Sequence, residues 1–312
     1  PAIDESFRLL ATDRFIANGR TRIAYGSTSL RMSDLGYQSA AQESINISFN
    51  QLETYCQTLA SAVMQPWPTY EGLGLMDEQG FKQLNTSVLQ IENEYYSSIR
   101  PKRIQKPGER PVRALFDRGV EYLEIRAIDL NPFATNGICE KEAGLITLLI
   151  VASALAESPL NTTEECAAIR GLNARATWAG RRDNQIQDLN APFRLAGLKF
   201  LDDLDIVAES LDLAFRTQIH QASLSDARTR LNDDYPLLSE EVEERSYNPG
   251  HLEFGLEMAE LHHSSLMNRF STGNYQSALK NKAMESLNAE KALVEANEGS
   301  FETFVRTYVN HT

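Results

Sequence analysis

Glu124 and Arg126 lie two positions apart in a stretch of sequence where apolar and ionisable residues alternate. In a β-strand, residues two apart share one face, and their Cβ atoms are roughly 6.5–7 Å apart. At this separation both side chains can reach one ligand, although the backbone does not force them into a salt bridge. A carboxylate can bind Mg²⁺ while a neighbouring guanidinium binds a phosphoryl or carboxylate oxygen. The pair therefore indicates either such a site or a solvated ion pair.

A second alternating stretch, residues 88–100, predicts another strand, which Pro101 ends. A strand of this kind normally packs its apolar face and turns its ionisable face to water. If both strands belong to one sheet, their ionisable faces form a charged floor, which is costly unless it is open to solvent or binds a metal and an anionic ligand. The pattern alone leaves both interpretations open. The ionisable groups of this stretch and of the residues just after it include Glu92, Glu94, Tyr96, Arg100 and Lys102.

The composition is that of an ordinary globular protein, with 42% hydrophobic and 23% charged residues among 312. A net charge of −13 argues against a nucleic-acid partner, because nucleic-acid phosphates bind to concentrated basic surfaces. A small anionic ligand needs only a few arginines and is compatible with this charge. The longest apolar stretch, residues 143–156, is too short to cross a bilayer, so no membrane partner is predicted.

The cysteines and histidines give no sign of a metal site or of a covalent nucleophile. Cys56, Cys139 and Cys166 are widely spaced and form no C-x-x-C pair, a pattern typical of the reducing cytosol. His262 and His263 are adjacent, and neighbouring residues of a helix point about 100° apart, so they cannot easily share a metal. No catalytic role is predicted for any histidine.

Strand and turn signals dominate the first 135 residues or so, and helical spacing dominates after Cys139. Thr162 and Glu165 are three residues apart and indicate a capping box at the start of a helix. We therefore predict an α+β chain, in which residues 1–138 form a sheet-containing catalytic portion. Residues 139–312 form a helical portion that packs on it as one structural unit. The sequence has no P-loop and no dinucleotide-binding glycine motif, so a nucleotide would bind to another kind of site.

Three segments resemble the signature segments of one enzyme family. Residues 29–37 read SLRMSDLGY, residues 89–103 read LQIENEYYSSIRPKR, and residues 119–133 read GVEYLEIRAIDLNPF. In this order they are similar to the carboxyl-terminal portion of proteobacterial-type glutamate–cysteine ligases. The resemblance implies a mainly antiparallel, glutamine-synthetase-like ligase sheet in the first part of the chain, incomplete here, followed by a helical half.

The same resemblance implies an ATP-dependent condensation that begins glutathione biosynthesis. The γ-carboxylate of glutamate takes the terminal phosphoryl group of ATP, and the amine of cysteine then attacks the acyl phosphate. Magnesium ions neutralise the phosphates, and the protein mainly positions the reactants. The implied protein is cytoplasmic, acts on small molecules and is a monomer when complete.

Roles for three residues follow from the resemblance. Glu124 matches a metal ligand, and Arg126 matches a group that lies where the phosphoryl or substrate carboxylate binds. Arg31, in the first segment, matches a substrate-binding group, and Arg31 and Arg126 are the implied catalytic residues. For the pair Glu124 and Arg126, the competing interpretation remains a structural ion pair.

Four further residues receive roles in the same way. Tyr37 and Tyr96 match tyrosines that contact the cysteine part of the ligand, and the segment around Tyr37 is implied to form a loop over that site. Arg100 and Lys102 are implied to bind nucleotide phosphates. The competing interpretations are packing for Tyr37, a cross-strand aromatic contact for Tyr96, and a solvated strand end for the two cations.

Family members carry an amino-terminal portion before the first segment, and it supplies further acidic metal ligands. This sequence starts at Pro1, close to the first segment. Glu124 alone cannot hold several magnesium ions, because each ion keeps a near-octahedral oxygen shell. We therefore expect the chain alone to be inactive or nearly so unless an amino-terminal part completes it. The alternative is a non-catalytic helical scaffold or binding module in which the ligase-like segments survive.

Overall fold

The computed structural model describes residues 2–4, 14–36, 39–180, 187–232, 235–271, 275–296 and 299–310. Within these residues, small antiparallel sheets lie in the first 125 residues, and helices form most of the chain from Glu140 onward. The predicted α+β class is therefore confirmed. None of the helices in the described part is long and apolar enough to span a membrane.

Seven strands and twelve α-helices are present in the described residues. In chain order they are β1 (Ala2–Asp4), β2 (Ile16–Asn18), β3 (Thr21–Ile23), α1 (Leu52–Met64), α2 (Pro68–Leu73), β4 (Met76–Asp77), β5 (Gly80–Phe81), β6 (Ile99–Lys102), α3 (Pro111–Arg118), β7 (Tyr122–Ile125), α4 (Glu140–Leu155), α5 (Thr163–Ala179), α6 (Gln187–Asp203), α7 (Asp205–Phe215), α8 (Ile219–Leu231), α9 (Leu238–Tyr247), α10 (His251–Ser271), α11 (Tyr275–Glu295) and α12 (Phe301–Asn310).

The chain divides into two compact units. The first unit comprises residues 1–36 and 129–269, and the second comprises residues 37–128 and 270–312. Each unit therefore contains two separate segments of the sequence. The predicted division at residue 138 follows the change from strands to helices rather than these units, and it stays a prediction.

The first unit contains a three-stranded antiparallel sheet, in the order β1-β3-β2, and a helical core. Helices α4, α6, α7 and α8 supply that core, because their leucines recur at helical spacing and can share one face. Helix α5 begins with the predicted capping box, in which Thr162 Oγ1 accepts from Glu165 N at 3.2 Å. The buried core side chains are Leu148, Leu201, Leu204, Ala208 and Leu224.

The turn between α7 and α8 is organised by the buried carboxylate of Asp212. Its Oδ1 accepts a hydrogen bond from His220 N at 3.1 Å and lies 2.7 Å from His220 Nδ1, and its Oδ2 accepts from Gln221 N at 3.0 Å. These backbone groups belong to the first turn of α8, where N–H groups have no partner within the helix. Burial alone would raise the pKa of Asp212, but the hydrogen bonds outweigh burial and lower it to about 2.

Alanine in place of Asp212 is expected to destabilise the first unit by about 2 kcal/mol, because it leaves the start of α8 without its acceptor. The folded pKa of about 2 lies below the usual 3.8, so Asp212 stabilises the fold above roughly pH 4. This contribution is lost as the pH falls toward 2, and the variant should therefore show a weaker loss of stability in acid. Urea unfolding at pH 7 and at lower pH, followed by Trp178 fluorescence in a Trp67→Phe background, measures both effects.

Glu209→Ala is the matched control for Asp212→Ala, because Glu209 is an exposed acid on the same helix. We expect it to change the free energy of unfolding by no more than about 0.5 kcal/mol. Equal stability of the Asp212→Ala and Glu209→Ala variants at pH 7 would contradict a capping role for Asp212.

The second unit is built on the packing of α1 against α3. Helix α3 begins at Pro111 and ends before Gly119, whose φ of 71° suits a residue without a side chain. The sequence predicts a short helix around residues 112–118 that Gly119 ends; the end agrees, and the observed start lies one residue earlier, at Pro111. The apolar core includes Tyr55, Cys56, Leu59, Ala62, Val63, Leu89 and Leu115.

The strand predicted over residues 88–100 is wrong for most of its length. A 3₁₀ helix, Glu92–Glu94, interrupts this stretch, and β6 begins only at Ile99. The backbone is diverted by a local side chain, because Glu94 Oε2 accepts a hydrogen bond from Gln90 N at 2.7 Å. The prediction that Pro101 ends the strand is also wrong, since β6 continues to Lys102. A proline is tolerated there because β6 has a single neighbour, β7, among the strands that the structure describes.

Candidate functional site

Strands β6 and β7 bring four predicted site residues onto one face of an antiparallel sheet. In their register, Arg100 lies directly opposite Glu124. Because side chains alternate along a strand, Lys102 shares the face of Arg100, and Arg126 shares the face of Glu124. Two ionisable faces do meet in one sheet, as predicted, but over the short strand pair β6 and β7 rather than over the whole of residues 88–100.

The carboxylate of Glu124 is at the centre of this face. Its Oε1 accepts a hydrogen bond from Arg126 Nε at 3.0 Å. Its Oε2 lies 3.5 Å from Lys102 Nζ and 3.8 Å from Arg100 Nε. One carboxylate therefore faces three cations, which gives the group a net charge of +2 when all four side chains are ionised. We call these four residues the Glu124 cluster.

The electrostatics of the Glu124 cluster keep its carboxylate ionised. Burial alone would raise the pKa of Glu124, but the hydrogen bond from Arg126 and the charges of Lys102 and Arg100 outweigh burial and lower it. Burial lowers the pKa of Arg100, and the charge of Arg126 lowers it further. Burial and the charge of Arg100 likewise lower the pKa of Lys102. Because the cations repel one another, added negative charge is favourable, and the cluster is suited to an anionic ligand.

The burial of Arg100 reverses the expectation that the apolar face of the strand is the packed one. Arg100 is only 3% exposed, whereas Leu123, on the other face of the sheet, is 43% exposed. Arg100 lines a small cavity together with Tyr55 and Leu59 of α1 and Leu115 of α3. Burial raises the pKa of Tyr55 to about 12, so its phenol is neutral beside the guanidinium.

Two atoms of the cluster are shielded from solvent and have no hydrogen-bond partner among the described residues. They are Arg100 Nη1 and Glu124 Oε2. Buried polar atoms in native proteins are nearly always hydrogen-bonded, so each is expected to meet a ligand or water. Arg100 Nη1 is a donor and suits a phosphoryl or carboxylate oxygen, whereas Glu124 Oε2 is an acceptor and suits a donor or a cation. An anion and a cation bound side by side would satisfy both atoms.

Asn93 is part of the site and was not predicted. Its backbone and side-chain oxygens accept hydrogen bonds from Arg100 Nη2 at 2.9 and 3.1 Å, and Oδ1 also accepts from Lys102 Nζ at 3.0 Å. The sequence did carry a signal, because Asn93 is the uncharged residue between Glu92 and Glu94 in the second segment. A strand over this stretch would place Asn93 on the apolar face, away from the cations, whereas the 3₁₀ helix brings it to them.

Gln42 fixes the backbone just before Tyr96. Its Nε2 donates to the carbonyl oxygen of Glu94 at 2.9 Å, and its Oε1 accepts from Tyr96 N at 2.9 Å. The side chain of Tyr96 is held at the surface of the second unit, where the residue is 37% exposed. Gln42 lies more than fifty positions away in the sequence, and no local pattern could have indicated this contact.

Arg31 lies in the first unit, in a loop formed by residues 29–36. Two serines of this loop bond to its backbone, since Ser29 Oγ accepts from an amide at 3.0 Å and Ser33 Oγ donates to a carbonyl at 2.6 Å. The side chain of Arg31 is partly buried. Tyr37, the predicted contact of the cysteine part of the ligand, lies outside the described residues.

Helix α5 anchors the chain on both sides of Arg31. Thr28 N donates to Thr177 O at 2.8 Å, and Trp178 Nε1 donates to Asp34 Oδ1 at 2.7 Å. Carbonyl groups in the last turn of a helix have no partner within the helix, so Thr177 takes its donor from this loop. Asp34 and the serines of the first segment therefore have structural contacts.

The Glu124 cluster fits a phosphoryl group better than it fits a magnesium ion. Throughout the described residues, no three His, Cys, Asp or Glu side chains lie close enough together to hold a metal. Glu124 offers one carboxylate, and Arg126 already binds its Oε1. Magnesium needs a near-octahedral shell of oxygen atoms, so most of its ligands would have to come from phosphates, water or other acidic groups.

Known proteins resemble this chain over most of its length. The family model for glutamate–cysteine ligase matches residues 1–175. The glutamate–cysteine ligase of Saccharophagus degradans is 36% identical over 289 residues, which is 90% of this chain and 54% of that protein. The corresponding protein of Hahella chejuensis is 34% identical over 325 residues, which is 100% of this chain and 61% of that protein. The chain thus spans little more than half the length of these relatives.

A solved structure agrees with the sequence matches. The glutamate–cysteine ligase of Francisella tularensis, crystallised in complex with AMP, has a TM-score of 0.88 and 27% identity to this chain. The match covers 100% of this chain and 62% of that one. The range matched by the family model contains residues 29–37, 89–103 and 119–133, so the predicted resemblance is confirmed on the segments that suggested it.

Proposed function

Since this chain belongs to the glutamate–cysteine ligase family, we propose that it forms part of the active site of an ATP-dependent ligase joining L-glutamate to L-cysteine. The observation that carries the proposal is the Glu124 cluster, in which three cations surround one carboxylate on a single sheet face. The names of the relatives support the reaction, which is the first step of glutathione biosynthesis. The three free thiols support a cytoplasmic location, where they would stay reduced.

The proposed reaction has two steps. An oxygen of the γ-carboxylate of glutamate bonds to the terminal phosphorus of ATP, and the bond between that phosphorus and ADP breaks. The amine of cysteine then forms a C–N bond, phosphate leaves with the electrons of the C–O bond, and the amine gives up a proton. Both steps concentrate negative charge on phosphoryl oxygens, so fixed cations lower the barrier.

Arg100, Lys102 and Arg126 supply those fixed cations. We assign Arg126, whose side chain is 29% exposed, to the transferred phosphoryl group or the glutamate carboxylate. Arg100 and Lys102 are assigned to the nucleotide phosphates, and the unpartnered Nη1 of Arg100 supports this, because it needs an acceptor. Burial strengthens the attraction between these fixed cations and an anionic ligand, because fewer water molecules screen their charges.

Magnesium, when bound, would neutralise the phosphates and orient the phosphoryl group for transfer. Glu124 is the proposed ligand from this chain, and its Oε2 supports that role, because it accepts no hydrogen bond from the described residues although two cations lie within 4 Å. Because the described residues hold no group of three metal ligands, we propose that acidic groups from an amino-terminal portion complete the site. The chain alone is then inactive or nearly so, and the complete protein acts as a monomer on small-molecule substrates.

Arg31, Tyr37 and Tyr96 are proposed to bind the amino-acid substrates. Arg31 binds substrate through its guanidinium, and the two tyrosines contact the cysteine part of the ligand. The anchoring of the Arg31 loop by α5, and of the Tyr96 backbone by Gln42, supports these roles, because binding groups act best from fixed positions.

Mg²⁺-ATP together with glutamate is expected to raise the unfolding midpoint of the purified chain by several degrees. A ligand that binds only the folded state stabilises it by mass action, by about 2.7 kcal/mol at one hundred times its Kd. The double variant Lys102→Ala, Arg126→Ala should lose most of this shift. Arg306→Ala is the matched control, because Arg306 is an exposed arginine on α12 that pairs with Glu302. Differential scanning fluorimetry over a ligand series measures the effect.

Two outcomes would contradict parts of the proposal. If the wild-type chain shows no shift at saturating ligand, the alternative gains support, namely a scaffold that keeps only the ligase-like segments. If the chain alone makes γ-glutamylcysteine faster than a Glu124→Ala control, it does not need acidic groups from outside.

A further inference from the structure

Asn93 sits behind the two cations of β6 and bonds to both. Its Oδ1 accepts from Arg100 Nη2 at 3.1 Å and from Lys102 Nζ at 3.0 Å, and its backbone oxygen accepts from Arg100 Nη2 at 2.9 Å. Neither an arginine nor a lysine side chain can accept a hydrogen bond, so the carboxamide must present its oxygen to them. The orientation of the Asn93 amide is therefore fixed by its partners.

The two acids that flank Asn93 are engaged elsewhere. Glu92 Oε1 lies 2.9 Å from Arg110 Nε, in an ion pair that is almost fully buried. Glu94 Oε2 accepts from Gln90 N at 2.7 Å. The 3₁₀ helix thus directs its carboxylates to other partners and its neutral amide to the cations of the site.

The neutrality of Asn93 has an electrostatic consequence. Arg100 and Lys102 lie two residues apart on one strand face and repel each other. Glu124 Oε2 faces both cations from the neighbouring strand, and Asn93 Oδ1 is a second oxygen shared by them, at hydrogen-bond distance from each. An amide oxygen can hold both and add no charge, which leaves the Glu124 cluster at a net charge of +2. A carboxylate at position 93 would hold the same two groups but reduce the local charge to +1.

We propose that Asn93 is a positioning residue, whose side-chain oxygen holds Arg100 and Lys102 together and leaves their positive charge available to a polyphosphate anion. The proposal has two parts. The hydrogen-bond part, that Asn93 positions the two cations, follows from the geometry of this chain. The charge part, that their charge serves a polyphosphate anion, rests on the proposed function. Asn93 acts through the two cations.

Two substitutions separate geometry from charge. Asn93→Ala removes the side-chain acceptor, whereas Asn93→Asp keeps an oxygen at that position and adds a negative charge. Asn85 provides a matched control, because its side chain also holds a local turn, accepting from Ser87 N at 2.8 Å and donating to Gln90 O at 2.8 Å. Asn85→Ala and Asn85→Asp should disturb that turn and leave the cations unaffected.

The first measurement is NMR of arginine-labelled chain, with the Arg100 guanidinium signals identified through an Arg100→Lys variant. A guanidinium held by hydrogen bonds rotates slowly and gives separate Nη proton signals. We expect separate signals in the wild type, in Asn93→Asp and in both Asn85 variants, and averaged signals in Asn93→Ala. Separate signals in a folded Asn93→Ala variant would overturn the hydrogen-bond part of the proposal. If that variant fails to fold, averaged signals in Asn93→Asp would overturn it instead.

The second measurement is calorimetric binding of inorganic tripolyphosphate to the same proteins. Asn93→Asp is expected to bind roughly tenfold more weakly than the wild type, with its Arg100 signals still separate. Equal affinity of Asn93→Asp and the wild type would overturn the charge part. If the wild type itself binds no tripolyphosphate, the charge part and the proposed nucleotide site both fail, while the NMR result still decides the hydrogen-bond part. If the wild type binds tripolyphosphate and the Asn93→Ala variant keeps separate Arg100 signals, the positioning role of Asn93 fails, whereas the proposed function does not.

Discussion

Glutamine in place of Glu124 is expected to lower γ-glutamylcysteine synthesis by the proposed ligase by on the order of a thousandfold. The side chain of Glu124 faces three cations and is the proposed magnesium ligand. Glutamine keeps the shape of that side chain but has neither its charge nor its affinity for a hard cation. The rate of product formation at saturating ATP, glutamate and cysteine measures the loss.

Glu121→Gln is the matched control for Glu124→Gln. Glu121 is another acid of similar side-chain exposure, 40% against 32%, and it lies 3.5 Å from Arg103 Nε, outside the Glu124 cluster. Glu121→Gln should keep most of the wild-type rate. Glu124→Asp keeps the charge but has a shorter side chain, so its rate should lie between those of Glu124→Gln and Glu121→Gln. A Glu124→Gln enzyme with more than about a tenth of the wild-type rate would contradict the role assigned to this carboxylate.

Methionine in place of Arg110 is expected to destabilise the second unit by about 3–5 kcal/mol. Arg110 Nε lies 2.9 Å from Glu92 Oε1, and each side chain of this ion pair is only 3% exposed. Without Arg110, the charge of Glu92 would remain buried and uncompensated, which costs more than the lost attraction itself. Arg110 is the N-cap of α3, so the disturbance would also reach the start of that helix.

The same substitution is expected to loosen α12. The ring of Tyr308 lies 5.3 Å from the Arg110 guanidinium, and Phe301 contacts Phe81 edge-on with 5.3 Å between ring centroids. Burial and the charge of Glu92 raise the pKa of Tyr308. Removal of the guanidinium takes the cation away from the Tyr308 ring and weakens one of the contacts between α12 and the rest of the second unit.

Urea unfolding followed by Trp67 fluorescence, in a Trp178→Phe background, would measure these effects in the second unit alone. Arg113→Met serves as the control, because Arg113 is an arginine of the same helix with a 68% exposed side chain. Arg113→Met should lower the free energy of unfolding by less than about 1 kcal/mol. Adding Glu92→Gln to Arg110→Met removes the unpaired charge and should recover part of the lost stability. An Arg110→Met variant as stable as Arg113→Met would show that the buried ion pair contributes little.

The sequence contained the local features of the site. Alternation along the strand placed Glu124 and Arg126 on one face, because side chains in a strand repeat every two residues whatever packs around them. The end of α3 followed from Gly119, since a glycine accepts a positive φ, whereas the helix begins at Pro111, one residue before its predicted start. The three ligase-like segments identified the family through residue identity alone. These features depend only on covalent geometry and on residue order.

Residues 88–98 show where local pattern failed. Leu89, Ile91 and Tyr95 fall on one face of the alternating pattern there, yet hydrogen bonds from side chains to backbone turn the chain into a 3₁₀ helix. Gln42 completes that turn from a distant point in the sequence. Hydrogen bonds of this kind depend on which groups meet in space. Alternation of apolar and polar residues therefore could not exclude a turn in place of a strand.

What the tertiary structure alone decided is which groups meet. Alternation states that two residues share a face, but it does not state which face is packed or which strand lies opposite. The register of β6 on β7 places Arg100 opposite Glu124, and the packing of α1 and α3 buries Arg100 while Leu123 stays exposed. This packing places a single carboxylate among three cations, two of which donate hydrogen bonds to Asn93. Sequence by itself indicated the four charged residues of this site and their family, and long-range packing determined their arrangement and added Asn93, because burial and cross-strand pairing depend on residues far apart in the chain.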